Sequence, residues 1–238
     1  MIRMEHLTKR HGDVVALDDL TLTIRPGAVT GLIGPNGAGK TTTLRLIVGL
    51  DTPTGGAVTV DGVRYADLPH PAQTLGAHLD VRSAHPGRTA RSHLLGLARH
   101  LGVEPERVTE VLARTGLAGV ARRRVGTFSL GMTQRLGIAG GLLGDPEVLV
   151  LDEPVNGLDT EGVRWIRGLL RALAAEGRTV LVCSHLLAEL ERIADHVVVL
   201  GRGRLLADAP LAAFLQNGTL EDGYVRLVTG HEEFRTVA

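Results

Sequence analysis

The chain is nearly without lysine. Of its 26 basic residues only Lys9 and Lys40 are lysines, and every other one is arginine. A sequence that writes arginine almost everywhere has a chemical reason where it writes lysine, and Lys40 stands at such a place. Cysteine is just as scarce. Cys183 alone excludes an intramolecular disulfide and fits a reducing cytosol. Within "TVLVCS" it reads as a small buried strand residue. Long apolar runs are missing too: "VLVL" and "HVVVL" are far too short to span a bilayer, and the N-terminus "MIRMEHLTKRHG" has no apolar signal segment. Net charge is the last absence. With 26 acidic residues against the 26 basic ones the formal charge is +0, which argues against a broad nucleic-acid footprint. No repeat, low-complexity tract or charge run breaks the chain. What remains is 238 residues, 44% of them hydrophobic, enough for one compact domain or a domain with a sizeable insertion.

Periodicity organises that material. Leu20, Leu22 and Ile24 alternate as a half-exposed antiparallel strand does. "VTGLI" (29–33) is a short apolar strand running into glycines, and "KTTTLRLIVGL" follows as a helix. "PTGGAVTVDG" reads as a turn and another edge strand. Residues 92–102 and 105–117 carry apolar residues at helical spacing, and a third helix is expected over 132–143. The strands "EVLVL", "TVLVCS" and "HVVVL" come next, with helices near 160–176 and 186–194 between them. Strand–helix–strand alternation at both ends predicts an α/β fold, a mostly parallel sheet with flanking helices. The all-helical stretch 83–143 reads as an inserted subdomain of a single domain over 1–238. Residues 219–238 are polar and read as a small terminal strand or a flexible tail.

The first motif is "GPNGAGKT" (34–41), a Gly-x-x-x-x-Gly-Lys-Thr loop set between a strand and a helix. Gly34, Gly37 and Gly39 let backbone N–H groups approach an anion, with Pro35, Asn36 and Ala38 completing the loop. The helix N-terminus, through Thr41 and Thr42, adds its dipole and unpaired N–H groups. Lys40 reaches terminal phosphates as a compact, mobile charge, a task the planar guanidinium fills less well. The Thr41 hydroxyl is placed to bind Mg²⁺. The loop predicts a nucleoside triphosphate ligand.

The second motif is a greasy strand ending in two acids, "VLVLDEP". In phosphate-loop proteins a carboxylate at the end of a neighbouring apolar strand holds the magnesium, and Asp152 fits. Glu153 faces the other way, because successive strand residues alternate. There a glutamate is able to polarise a water for attack on the terminal phosphate.

These residues carry a resemblance. The phosphate loop, then "FSLGMTQRLGIA" (128–139), then "LVLDEP", the loop "NGLD" and "LVCSH" occur in the order seen in the nucleotide-binding domain of ATP-binding cassette proteins, and the resemblance covers nearly the whole chain. Ser129 and Gly131 are expected to open a helix N-terminus, an anion-binding end. The resemblance implies a P-loop NTPase core joined to an N-terminal antiparallel β subdomain and a helical subdomain. It implies that Ser129 and Gly131 cap the ATP of a second cassette, that Asp159 signals across the dimer, and that His185 holds the terminal phosphate and the attacking water.

Three positions depart from the family pattern. His11 stands where an aromatic residue commonly stacks on adenine; Asp80 replaces a glutamine on the magnesium side; Met132 replaces the glutamine ending the signature. Similar variants are associated with bacterial drug and antibiotic exporters built from separate chains. The resemblance therefore implies an ATPase that uses ATP and Mg²⁺ and drives a separate transmembrane permease from the cytoplasmic face of the membrane. It places the permease dock just after Asp80, in "VRSAHPGRTARSHL", a stretch that reads equally as a solvated face. The rival is a soluble cassette ATPase acting on nucleic acid or ribosomes. Neutral charge and the lack of a second cassette or a long coiled coil count against it. A guanine-reading Asn-Lys pair does not exist in the chain, so a GTPase is excluded.

Overall fold

Two sheets share the strands of the computed structural model, which describes residues 1–79 and 84–233. In chain order the first half holds β1 (Ile2–His11), β2 (Val14–Ile24), β3 (Ala28–Ile33), α1 (Lys40–Ile47), β4 (Gly55–Val60), α2 (Pro71–Thr74) and β5 (Leu75–His78). Three helices follow, α3 (Ala90–Leu101), α4 (Pro105–Arg114) and α5 (Leu130–Gly141). The chain then returns to strands with β6 (Val148–Asp152), α6 (Thr160–Ala175), β7 (Thr179–Cys183), α7 (Leu187–Glu191), β8 (His196–Gly201) and β9 (Arg204–Pro210), and ends on α8 (Leu211–Phe214) and α9 (Leu220–Glu233).

The smaller sheet is antiparallel, in the order β2-β1-β4, with Ile2 opposite both Ile24 and Val60. The larger runs β5-β6-β7-β3-β8-β9, parallel except for the β8–β9 pair. Its central strands separate two cores. Val148 and Val150 of β6 join Leu181 and Cys183 of β7 under α1 and the smaller sheet. Leu149, Leu151, Val180 and Val182 turn to the opposite core, among α3–α6. The period of two that made these strands apolar on both faces thus assigns each face its own layer.

The helical stretch docks by close backbone contact. A Cβ on Gly76 of β5 would run into the Gly141 carbonyl of α5, and one on Gly137 would run into the His78 ring. Side chains bind α4 and α5 to the rest. Arg107 donates to Asp145 at 2.6 Å, and Arg178 donates to the same carboxylate oxygen at 3.0 Å. The Trp165 indole of α6 donates to the Arg114 carbonyl at 3.0 Å, under the Arg135 guanidinium, which lies 4.5 Å from its ring centre.

Several expected bounds shift, most of all at three helices. The third helix begins at Leu130 rather than 132, because the Ser129 hydroxyl accepts a hydrogen bond from Met132 N and caps it there. It ends at Gly141. The helix expected near 186–194 is only Leu187–Glu191. Residues 220–233 are neither strand nor tail but helix α9. Thr219 and Asp222 cap it reciprocally, Thr219 Oγ1 accepting from Asp222 N and the Asp222 carboxylate accepting from Thr219 N at 2.8 Å. The first residue of α9, Leu220, is fully buried. No described helix is long and apolar enough to cross a membrane.

Candidate functional site

The Gly34–Thr41 loop is wedged between the hairpins of both sheets. A Cβ on Gly39 would meet the Leu17 side chain at 2.6 Å and the Ala16 carbonyl at 2.7 Å, and one on Gly34 would strike the Leu200 carbonyl. Gly39, at φ 99°, is also the N-cap of α1 and brings no side chain to it, so the first N–H groups of that helix are left to face an anion. Lys40 is drawn back across the loop, its ammonium donating to the Gly34 carbonyl at 2.6 Å and to Pro35 at 3.0 Å. Held so, it places its charge over the loop. Pro35, Asn36 and Gly37 are exposed at the tip, Ala38 is buried beneath, and Thr41 and Thr42 stand in the first turn of α1.

Two strands away, Asp152 closes β6. Burial lifts its carboxyl above the usual range and the Glu153 charge lifts it further, while the Cys183 thiol and the Lys40 charge pull it down. Asp152, Glu153 and Cys183 hold ligand atoms within 4.8 Å of one another. The donor chemistry sorts them. Burial, aided by Asp152, keeps the Cys183 thiol protonated far beyond its ordinary range. The thiol serves Asp152 as a hydrogen-bond donor, and its soft sulfur is not a donor that Mg²⁺ selects. The carboxylate oxygens are hard donors of the kind Mg²⁺ takes.

Glu153 leaves the strand in a left-handed turn, φ 50°, a rare conformation for a residue with a side chain. Every polar part of it is held. Its N–H donates to the Cys183 carbonyl at 2.8 Å. Its carbonyl accepts from the Gln134 side chain at 2.9 Å and from Asn156 N at 3.2 Å. Its carboxylate lies 2.8 Å from His185 Nδ1 and accepts from His185 N at 3.0 Å and Ser184 Oγ at 3.3 Å. The strand ends of β6 and β7 thus bring together Glu153 and His185, which the sequence named separately.

The other expected residues take up positions around this centre. Ser129 is exposed at the start of α5. Gly131 lies behind it, where a Cβ would meet the Gly157 carbonyl at 2.8 Å. The signature and the "NGLD" loop are therefore packed back to back within one chain. Asp159 caps α6, accepting from Gly162 N at 2.7 Å. His11 ends β1, exposed beside the hairpin turn and paired in register with Val14. Asp80 lies outside the described residues. Sequence reasoning missed Gln134 and Ser184. Gln134 sits inside an apolar helical face and Ser184 between two named residues, so neither carries a pattern of its own.

Comparison with known proteins shows the family and the fold. A family model described as ABC transporter matches residues 17–156. The bacitracin transport ATP-binding protein of Bacillus licheniformis is 39% identical over 213 residues, which cover 88% of this chain and 70% of that protein. A solved ATP-binding subunit of an ABC transporter superposes with a TM-score of 0.87 at 29% identity, covering 96% of this chain and 99% of that one. A dimeric ATP-binding cassette in a post-hydrolysis state, bound to ADP and Pi, superposes with a TM-score of 0.79 at 27% identity over 88% of this chain and 98% of that one.

Proposed function

Since this chain belongs to the ABC transporter family as an ATP-binding subunit and an ATPase, we propose that it is the motor of an exporter, with its residues dividing the work as follows. The α1 N-terminus and Lys40 receive the nucleotide phosphates. Thr41 and Asp152 would hold Mg²⁺, which when bound would offset charge on those phosphates. Glu153 takes the proton of the attacking water. His185 fixes the carboxylate by ring and backbone together, so the base is oriented before water arrives. Ser129 and Gly131, at the exposed start of α5, close on the nucleotide of a second cassette, and Asp159 lies at that contact.

The observation that carries the assignment is the clamp on Glu153. A carboxylate fixed by His185 on one oxygen and by Ser184 on the other, and set beside Asp152, is oriented as a water-polarising base would have to be. Relatives named for bacitracin and lantibiotic transport support an export role and a separate membrane subunit. That subunit would tie the chain to the cytoplasmic face of the membrane. Neither the neutral charge nor these relatives favour work on nucleic acid.

Glu153→Gln tests the reading. It keeps the shape and the clamp's acceptor oxygen but cannot take a proton. ATP binding by calorimetry should stay within about twofold, turnover should fall by about 10²-fold or more, and ATP should trap a dimer visible in light scattering. Turnover at the parental rate would remove Glu153 from the role of base.

A further inference from the structure

Two arms of the clamp on Glu153 do not come from the neighbouring strand: Asn156 N of its own turn, 3.2 Å from the Glu153 carbonyl, and Gln134. The Cys183, Ser184 and His185 contacts all arise where β7 ends, beside the glutamate. The Gln134 contact arises from α5, whose other end presents Ser129. Gln134 is fully buried, at 0% relative exposure. Its Nε2 donates to the Glu153 carbonyl at 2.9 Å, and among the described residues its Oε1 has no hydrogen-bond partner. A buried amide with one bond made and one oxygen unmatched is costly, so packing alone would favour an apolar residue here.

We infer that Gln134 is a positioning residue for the hydrolytic carboxylate, linking the start of the signature helix to the backbone of Glu153. This rests on the assignment of Glu153 as base. Ser129 and Gln134 lie on one continuous helix that is capped at its start and pressed by glycines onto β5. It moves as a unit. Glu153 occupies a left-handed backbone conformation that a non-glycine residue keeps only when its surroundings hold it. The bond to its carbonyl is one of the groups that hold it. A shift of α5, such as a second cassette's nucleotide at Ser129 would impose, therefore acts on the peptide that aims the carboxylate. His185 then restrains the carboxylate end, while Gln134, beside Asn156 N and the Cys183 carbonyl, restrains the backbone end. Reorienting a base by about 1 Å is enough to change a rate by about 10²-fold.

The test measures basal ATP turnover of the full chain for Gln134→Met and Gln134→Glu, beside the parent and Glu153→Gln. Methionine matches the volume and removes the donor. Glutamic acid, fully buried, stays protonated and restores an O–H donor to the same carbonyl. The expected result is a kcat about 10- to 100-fold lower in Gln134→Met. Its KM for ATP should be unchanged within about twofold and its melting temperature close to that of the parent. Gln134→Glu should recover most of the loss. A parental kcat in Gln134→Met overturns the inference. So does an equal loss in both variants that follows their melting temperatures, because that is what a packing role gives. Glu153→Gln separates the two readings. If it turns over ATP normally, the base assignment has failed; if it is dead while Gln134→Met is normal, only the link has failed.

Discussion

Asp152 shows at the scale of one residue how a site costs stability. The folded chain holds its carboxyl above the ordinary range, so the folded state binds that proton more tightly than the unfolded state does. Ionised at neutral pH, the group opposes folding, and the opposition fades as pH falls through the raised pKa. Asp152→Asn keeps an acceptor for the Cys183 thiol and removes the charge. It should raise Tm at pH 7 in metal-free buffer, by about 2–4 °C for each kcal/mol relieved, while abolishing turnover with ATP and Mg²⁺. A lowered Tm in thermal denaturation would show that the carboxylate is not under strain. By the same sign, Mg²⁺ affinity of the parent should weaken on acidification sooner than an exposed aspartate would allow. Lys40, Asp152 and Glu153 were legible because each is set by a few neighbouring letters: a glycine spacing, an apolar run, an adjacent pair. Gln134 was not, since its partner is 19 positions away and its chemistry is a backbone carbonyl, which no sequence spells.

Elements were legible where a period survives burial. The strands under α1 read as apolar on both faces because each face enters a core. Helix ends were less so. The signature helix starts two residues earlier than its apolar spacing suggests because a serine cap, not hydrophobicity, sets the start. The terminal helix escaped because its polar letters hid a Thr219–Asp222 capping box and one anchoring residue, Leu220. What joins elements is harder still to read. Gly76 looks like an ordinary strand glycine, yet it lets α5 lie backbone to backbone on β5. Gly76→Ala should cost about 1–3 kcal/mol in denaturant unfolding, since the added methyl meets a carbonyl that cannot swing aside. A loss under about half a kcal/mol would mean the joint is looser than the structure has it.

Across the whole molecule, the helices α3–α5 meet the sheet along an ionic seam remote from the phosphate loop. Burial raises the Asp145 carboxyl's pKa, but Arg178, Arg107 and Arg114 outweigh it and hold the group below the ordinary range. Its stabilisation is therefore full above the unfolded carboxylate pKa and is lost as pH falls through the lowered one. The side chain is 53% exposed, so screening limits its worth to about 1 kcal/mol or less. Asp145→Asn should lower Tm slightly at low salt and hardly at all at high salt; a loss independent of salt would point to packing instead. No neighbouring letters announce this seam, because its partners are 38 and 33 residues apart. The other tie across the same junction has a use of its own. Trp165 is the only tryptophan in the chain, with its N–H on α4 and a guanidinium from α5 over its ring. A turn of α4 and α5 against α6 would change the polarity and the charge around that one indole together. Its emission colour and quenching would then report the joint's angle in an unlabelled protein, with no second indole to blur the signal.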